Sequence, residues 1–306
     1  MQPDLKSFLK KTALFLALFL APLLLLEWRL RQPDNDSYAL KHYLLQSTLE
    51  TNEILILGNS LSWGGLIPAD LSDHCINIAN YNQSFYSDYK ILEQYGPLSK
   101  SLHTVIIPLN LESFFAKPGA RSEEYYAAIF GIEPHDGKYR AEHYSLLMIY
   151  GLWPGIRQLS GPSEIVENKG WGTSNDVYRE SPELIADKLA FILSQMEGDH
   201  FDLCTGYLEK IIETCNAQGL RLVLYQHPLS KGLIRELEKD SRYARMQEYL
   251  GTLSGRQDVE YFDLRYEELF VDSLFRDINH LNMRGAGMLT QMMRGILAGR
   301  QPGQGT

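Results

Sequence analysis

Residues 53–62 read EILILGNSLS, an apolar run that ends at a glycine and continues into small polar residues. An apolar run of this length beside a turn residue is typical of a strand buried on both faces of a parallel sheet. Further runs of this character occur at residues 75–79, 104–109, 221–225 and 259–264. Helical periodicity is found at residues 86–100, 182–195, 201–218, 229–250 and 284–298. Strands that alternate with helices predict an α/β fold.

The predicted fold is a three-layer α/β/α sandwich with a five-stranded parallel, flavodoxin-like sheet. We expect residues 53–298 to form this domain, with residues 32–52 as a stalk and residues 299–306 as a flexible tail. Residues 113–180 do not fit the alternation, because they are rich in Gly, Tyr, Trp and His and have weak periodicity. A structureless loop of that length is uncommon in a compact domain, so we interpret them as an inserted subdomain or lid.

The chain begins with an apolar segment, TALFLALFLAPLLLL at residues 12–26, which carries no charged side chain. As a helix it spans roughly 22 Å, which is less than a ~30 Å hydrocarbon core, although flanking residues can extend it. We interpret residues 1–31 as an uncleaved signal-anchor, with a cleaved signal peptide and a buried core helix as alternatives. We expect a single-pass protein of a bacterial inner membrane, and the three Lys before the segment against two Arg after it place the N-terminus on the cytoplasmic side by the positive-inside rule. The body of the chain would then face the periplasm or the extracellular side.

The charge is unevenly distributed. The whole chain has a formal net charge of −9. Residues 1–31 hold five Lys and Arg against two Asp and Glu, which leaves 24 against 36, a net of −12, for the rest. An acidic body argues against a nucleic-acid partner and lowers the expectation of a strongly acidic substrate. The three cysteines give no complete disulfide framework and no metal-binding spacing, and we expect no metal or cofactor.

Chemically useful side chains follow four of the predicted strands. Ser60 comes three residues after the first strand, Asn82 follows the second, Asn110 follows the third, and Asp277 and His280 follow the fifth. Ligand sites of parallel sheets lie at the carboxyl ends of the strands, so we expect these residues to converge. A serine, a histidine with an acidic neighbour and two amides are the groups that acyl transfer requires.

The roles follow from the side-chain chemistry. Ser60 would be the nucleophile, His280 the base that takes its proton, and Asp277 the group that orients and stabilises the imidazole. The oxyanion would be bound by the backbone N–H of Ser60, a backbone N–H near Asn82 and the side-chain amide of Asn110. Each of these motifs also has a non-catalytic interpretation. Ser60 can lie in an ordinary turn after a strand, and Asp277 with His280 can be a helix cap beside a surface histidine.

These motifs resemble those of the SGNH/GDSL hydrolase superfamily. Its first block places the nucleophilic serine in a Gly-Asp/Asn-Ser turn, which is similar to GNS at residues 58–60. Its last block is D-x-x-H, often continued by H-x-N-x-x-G, which is similar to DINHLNMRG at residues 277–285. Asn110 stands where the third block supplies an oxyanion asparagine, and Asn82 stands where the second block normally has a glycine. The resemblance covers residues 53–112 and 220–298.

Membrane-anchored members linked to bacterial envelope polysaccharides, such as alginate acetylation proteins and the D-alanyl-transfer protein of teichoic acid synthesis, are the most similar in layout. The resemblance implies addition or removal of O-acyl groups on an envelope glycan, with a multipass membrane acyl-donor protein as a further partner. A second hypothesis is a catalytically inactive scaffold or glycan-binding subunit of a polysaccharide modification or export complex.

Three further side chains are candidates for contact with a substrate. His227 follows the fourth strand in YQHP, and Trp153 and Trp171 lie in the predicted insertion. Aromatic rings can stack on sugars and a histidine can line a pocket. The alternatives are a hydrogen-bonded loop histidine and tryptophans in the core of the insertion, and the sequence leaves both open.

Overall fold

The computed structural model describes residues 5–118, 122–159, 170–179, 181–265 and 269–300. Its centre is one five-stranded sheet in which all pairings are parallel and the order is β2-β1-β3-β4-β5. The strands are β1 Ile54–Ile56, β2 Cys75–Asn77, β3 Thr104–Leu109, β4 Arg221–Gln226 and β5 Glu260–Asp263. Every residue of β1, β2 and β3 is buried, as expected for strands covered on both faces.

The helices, in chain order, are α1 Leu5–Leu30, α2 Ser37–Ser47, α3 Ser60–Gly65, α4 Pro68–Leu71, α5 Phe85–Tyr95, α6 Leu111–Phe115, α7 Ser122–Tyr125, α8 Leu146–Tyr150, α9 Leu152–Gln158, α10 Pro182–Ser194, α11 Phe201–Ala217, α12 Lys231–Leu237, α13 Ser241–Leu253 and α14 Met283–Leu297. Short 3₁₀ turns occupy Gly96–Leu98, Ala141–Tyr144 and Asp272–Leu274, and a π turn occupies Tyr126–Phe130.

Helices cover both faces of the sheet. One layer contains α5, α6, α11 and α13, which pack on one another. The other contains α3, α4 and α14. The predicted three-layer α/β/α fold with a five-stranded parallel sheet is therefore confirmed. Because strand order reverses between β1 and β3, the carboxyl ends of these strands open a crevice at that point of the sheet.

The prediction of one helix over residues 229–250 is wrong, because the structure has two helices there, α12 and α13. Ser230 caps α12, and its Oγ accepts a hydrogen bond from Leu233 N. Asp240 caps α13 and accepts from Arg242 N over 2.8 Å. A side chain that satisfies the first N–H groups of a helix marks a new helix start, although the apolar pattern continues across it.

Residues 32–52, which we expected to form a stalk, contain the helix α2. Asp36 caps α2 through a 2.8 Å hydrogen bond from Ala39 N, and α2 buries Tyr38, Leu40 and Leu45. Lys41 is also buried, its Nζ donates to the carbonyl of Ala79, and burial lowers the pKa of its ammonium group well below the usual value. This segment packs on the domain near the end of β2.

The first helix, α1, is the one helix in the described ranges that is long and apolar enough to cross a membrane. None of its most apolar window is buried in the protein. Such a helix suits either an anchor or a signal sequence. Of the predicted tail, residues 301–306 lie outside the described part of the chain.

The predicted insertion is made of short elements in its described parts, from α6 to α9, and of an extended strap at residues 170–179. The strap passes so close to β2 that a Cβ at Gly170 would lie 2.1 Å from the carbonyl oxygen of Asn77. The φ angle of Gly170 is +88°, which also favours glycine.

Candidate active site

The turn after β1 presents Ser60. Gly58 has a φ of +95°, and a Cβ there would lie 2.3 Å from Cδ of Pro108, so only glycine fits this turn. Asn59 then caps α3 and accepts a hydrogen bond from Leu61 N over 3.1 Å. Ser60 is the first residue of α3 and stands at the carboxyl end of the sheet.

The loop between β5 and α14 carries the other two predicted residues to the same place. His280 Nε2 lies 2.9 Å from Ser60 Oγ. On the other side of the ring, His280 Nδ1 lies 2.9 Å from Oδ2 and 3.0 Å from Oδ1 of Asp277. The loop is closed on itself by a hydrogen bond from Arg276 N to the carbonyl of His280 over 2.9 Å. The structure thus brings Ser60, His280 and Asp277 together in a hydrogen-bonded row.

The protonation states suit proton transfer from the serine. Burial lowers the pKa of His280, and the cations Lys188 and Arg276 add to this effect while Asp277 opposes it. Burial of the Asp277 carboxyl would raise its pKa, but hydrogen bonds from His280 and the Asn279 N–H outweigh this and hold the pKa well below its usual value. At neutral pH the carboxylate is therefore charged and the imidazole is neutral, which is the state of a base.

The strap at residues 170–179 braces both halves of this row. Trp171 Nε1 donates to the carbonyl of Gly64 in α3 over 3.1 Å. Thr173 Oγ1 donates to the carbonyl of Leu281 over 2.8 Å, directly after His280. Asn282 donates to the carbonyl of Asp176 over 3.1 Å. One segment of the insertion thus connects the helix that carries the serine to the loop that carries the histidine.

The loop after β2 contributes Asn82. Its φ is +52°, and it is the one non-glycine residue with a positive φ in the described ranges. Asparagine tolerates this left-handed conformation better than most residues. The conformation is supported by Ser122, whose Oγ donates to the carbonyl of Asn82 over 2.9 Å. Asn82 lines the same cavity as Ser60 and His280.

A buried carboxyl fixes the loops after β1 and β2 relative to each other. Oδ1 of Asp88 accepts a hydrogen bond from Gly58 N over 3.0 Å and another from Gln83 Nε2. Tyr126 donates from its hydroxyl to Gln83. Burial raises the pKa of Asp88 to about 7, against these two hydrogen bonds, which lower it.

Asn110 lies behind the residues that line the cavity and contacts Asn59. Its Oδ1 accepts from Asn59 Nδ2 over 2.9 Å, and its Nδ2 donates to Oε2 of Glu112 over 2.9 Å. It also caps α6 by accepting from Ser113 N over 3.3 Å. The residues that line the cavity include Asn59, Glu112 and Ser113 but not Asn110. The predicted asparagine thus supports the cap of α3 and has one amide hydrogen committed to a carboxylate.

The cavity in front of Ser60 has a volume of about 750 Å³. Its wall combines two lysines, Lys117 and Lys188, with two acidic residues, Glu112 and Glu197, so its formal charge is balanced. Burial raises the pKa of Glu112, and Lys188 opposes that effect. The cavity therefore offers both hydrogen-bond donors and acceptors, with no excess of formal charge of either sign among the residues that line it.

Two exposed aromatic side chains also line the cavity. Tyr81 is 49% exposed and Phe191 is 51% exposed, although each borders a concave wall. Tyr81 packs against Trp63 with ring centroids 4.7 Å apart. Lys188 Nζ lies 5.1 Å from the centroid of Phe191. Exposed aromatic faces beside polar groups are suited to contact with a sugar ring.

The structure places the three weaker candidates away from this cavity. Trp171 is 7% exposed and is part of the brace. Trp153 is 72% exposed on α9, which packs on α1. His227 is fully buried behind the site, and neither ring nitrogen has a hydrogen-bond partner in the described ranges. Burial, with the charge of His280, lowers the pKa of His227 to about 3. None of the three lines this cavity, and contact of these residues with a substrate stays a prediction.

Sequence reasoning missed Glu112, Lys188, Tyr81 and Phe191. Glu112 lies two residues after Asn110, so proximity along the chain could have suggested it. Lys188 and Phe191 are three residues apart on α10, a spacing that places them on one helical face. Which face of α10 meets the cavity depends on tertiary packing and has no signal in the sequence.

Comparisons with known proteins give a limited result. No sequence family profile matches the chain, and no curated protein is significantly similar to it. A solved structure of a candidate acylhydrolase from Bacteroides fragilis aligns over 83% of this chain and 94% of its own length, with 11% identity and a TM-score of 0.43. A candidate platelet activating factor from Streptococcus pneumonia aligns over 91% and 98%, with 11% identity and a TM-score of 0.41.

Proposed function

We propose that this chain is a serine esterase or O-acyltransferase that acts on acyl esters of a cell-envelope polysaccharide. The single observation that carries the proposal is the row of hydrogen bonds from Ser60 Oγ through His280 to Asp277, with both contacts at 2.9 Å. A serine is a weak nucleophile at its ordinary pKa and needs an adjacent base. A neutral, buried imidazole that is oriented by a charged carboxylate provides that base.

The proposed reaction has two halves. Ser60 Oγ attacks the carbonyl carbon of the ester while its proton moves to His280 Nε2. The carbon–oxygen bond to the alcohol then breaks, the alcohol leaves with the proton from His280, and the acyl group stays on Ser60. In the second half, water or a sugar hydroxyl gives its proton to His280 and attacks the acyl carbon. The bond from that carbon to Ser60 Oγ then breaks, and His280 returns the proton to Oγ. Water gives hydrolysis and a sugar hydroxyl gives transfer.

The oxyanion of each tetrahedral intermediate needs hydrogen-bond donors. The backbone N–H groups of Ser60 and Asn82 are the best candidates, because both residues line the cavity and neither N–H has a partner within the described residues. Ser60 N is also at the start of a helix, where N–H groups point outward. Asn110 takes part by holding Asn59, the cap of that helix.

The substrate class is inferred from the cavity wall. Balanced charge favours a neutral glycan over a strongly anionic polymer. Tyr81 and Phe191 offer exposed aromatic faces that can stack on a sugar ring, a role that the sequence suggested for tryptophans of the insertion. The apolar helix α1 would anchor the domain on the outer side of the inner membrane, where an envelope glycan and a multipass acyl-donor protein are accessible.

The proposal is tested by measuring release of acetate from p-nitrophenyl acetate and from acetylated neutral oligosaccharides, with the full chain in detergent micelles. We expect turnover on both substrates and its loss, by at least about 10³-fold, in Ser60→Ala. Ser194→Ala is the matched control, since Ser194 is an exposed serine on the same cavity wall.

Each failure has its own meaning. Activity that survives in Ser60→Ala would overturn the mechanism. Hydrolysis of the nitrophenyl ester without hydrolysis or transacylation of any acetylated oligosaccharide would overturn the glycan assignment. A folded chain that binds the oligosaccharides but turns over neither substrate would assign the inactive glycan-binding role.

A further inference from the structure

The last turn of α1 is joined to the domain by hydrogen bonds to one short helix. The carboxylate of Glu27 accepts from Leu146 N over 3.1 Å, from Leu147 N over 2.8 Å and from Ser145 Oγ over 2.8 Å. A carboxylate at the first N–H groups of a helix is a cap, and here it is supplied by another helix. The end of α1 is thus tied to the beginning of α8.

Two neighbouring side chains complete the junction. Arg31 donates to the carbonyl of Ala128 over 2.6 Å and to the carbonyl of Tyr144 over 2.8 Å. Leu30 is fully buried in a small apolar cluster with Leu146 and Ile149. The connection between α1 and the domain is therefore packed and hydrogen-bonded, which fixes the orientation of the domain relative to α1.

Four large apolar side chains of the helix pair α8–α9, beside this junction, are exposed. Met148 is 62% exposed, Leu152 is 45%, Trp153 is 72% and Ile156 is 42%. The pair contacts α1 directly, and a Cβ at Gly155 would lie 3.4 Å from Leu30 Cδ1. Large apolar side chains exposed on two consecutive helices are candidates for an interaction site.

The position of this surface identifies what would cover it. The apolar run of α1 ends at Leu26, and Leu30 lies four residues further along the helix, which is about 6 Å at 1.5 Å per residue. The interfacial layer of a bilayer is about 5–8 Å thick on each side of the hydrocarbon core. The helix pair is therefore at interfacial depth when α1 spans the membrane. Trp28, which is 58% exposed, and Trp153 both suit that layer.

We propose that Met148, Leu152, Trp153 and Ile156 form a membrane-contacting face, which we call the α8–α9 face, and that it lies in the lipid headgroup layer beside the end of α1. The domain would then be held on the membrane at two adjoining places, in one orientation, and would not swing on a flexible tether. This inference rests on the proposed anchoring role of α1. It concerns the lipid as a partner and goes beyond the reaction at Ser60.

The test uses the full chain in nanodiscs that contain lipids with a nitroxide at the headgroup or deep in the acyl chain. A bimane label is attached at Ile156→Cys, at Phe19→Cys in α1, or at Leu98→Cys. Leu98 is the matched control, because it is an apolar residue with 55% exposure on the turn that follows α5. The native cysteines Cys75, Cys204 and Cys215 are buried.

The inference predicts a roughly twofold or larger loss of emission at position 156 with the headgroup nitroxide, and little change at position 98. The label at position 19 should be quenched by the deep nitroxide. Quenching at 19 without quenching at 156 would overturn the membrane-contacting face and leave the anchor intact. The α8–α9 face would then contact a protein or solvent. Absence of quenching at 19 would overturn the anchor and this inference together.

Discussion

Nδ2 of Asn110 donates a hydrogen bond to Oε2 of Glu112 over 2.9 Å, which commits one of its two amide hydrogens to that carboxylate. Asn110 therefore has a supporting role in the mechanism that we propose. We expect Asn110→Ala to lower kcat/KM by less than about tenfold, whereas removal of a direct oxyanion donor costs about 10²–10³ in kcat. Steady-state kinetics on the nitrophenyl ester measures this, with Glu112→Gln as the control that keeps an acceptor. A loss of 10²-fold or more would place the Asn110 amide in the oxyanion site.

The backbone of Asn82 gives a second prediction. A glycine adopts its φ of +52° without strain. Its backbone N–H is the group that we propose as a hydrogen-bond donor to the oxyanion. Asn82→Gly should keep kcat/KM within about threefold of the original value, because the N–H and its direction are retained. Asn82→Ala should lose more, since the left-handed conformation costs an alanine about 1–2 kcal/mol. Equal losses in both variants would mean that the side chain of Asn82 acts in the reaction.

The pH dependence follows from the causes of the His280 pKa. The base is the neutral imidazole, and burial with Lys188 and Arg276 lowers its pKa below the ordinary value of 6.5. The acid limb of kcat/KM should therefore have its midpoint below pH 6.5. Lys188→Gln removes a cation that disfavours imidazolium, so the pKa rises and the midpoint should move to higher pH. An unchanged midpoint or a shift to lower pH would contradict the assignment.

Lys90→Gln is the control for that experiment. Lys90 is a lysine of α5 that pairs with Glu93 over 2.6 Å and does not line the cavity. Its loss should leave the midpoint in place. The comparison separates the local effect of Lys188 on His280 from a general change in net charge, which both substitutions share.

The strap gives a prediction about stability. At Gly170 a Cβ would meet the carbonyl oxygen of Asn77 at 2.1 Å, and the φ of +88° is unfavourable for alanine. Gly170→Ala should lower the free energy of unfolding by about 2–4 kcal/mol. Gly206→Ala, on the exposed side of α11 with no neighbour within 4 Å, should raise it by about 0.5–1 kcal/mol. Thermal and denaturant unfolding of the two variants measures both values.

The sheet could be predicted from the sequence because its inner strands β1, β3 and β4 are largely apolar runs, and the edge strands β2 and β5 lie in shorter apolar stretches with some polar residues. The convergence of Ser60 with Asp277 and His280 followed from the rule that sites lie at the carboxyl ends of parallel strands. The structure brings these three residues together, and their catalytic roles stay predictions. The sequence did not reveal the break between α12 and α13. Asp240 ends the helical backbone as the N-cap of α13, but the helical spacing of apolar residues continues across it.

The surroundings of the site were harder to predict. Trp171 and Trp153 are alike in the sequence, but one is buried in the brace and the other is exposed beside α1. Residue type alone does not distinguish a core aromatic from one that binds a ligand or a membrane. Lys188 and Phe191 reach the cavity from a helix far along the chain, so their place depends on how α10 is rotated on the domain.

The most direct test of the central claim is covalent labelling of Ser60. The full chain is treated with a fluorophosphonate, which reacts with serines that a base activates, and the modified peptide is located by mass spectrometry. We expect one adduct on Ser60, absent in His280→Ala and in Ser60→Ala but present in Ser194→Ala. A folded chain that gains no adduct on Ser60, or one whose Ser60 is labelled equally well without His280, would contradict it.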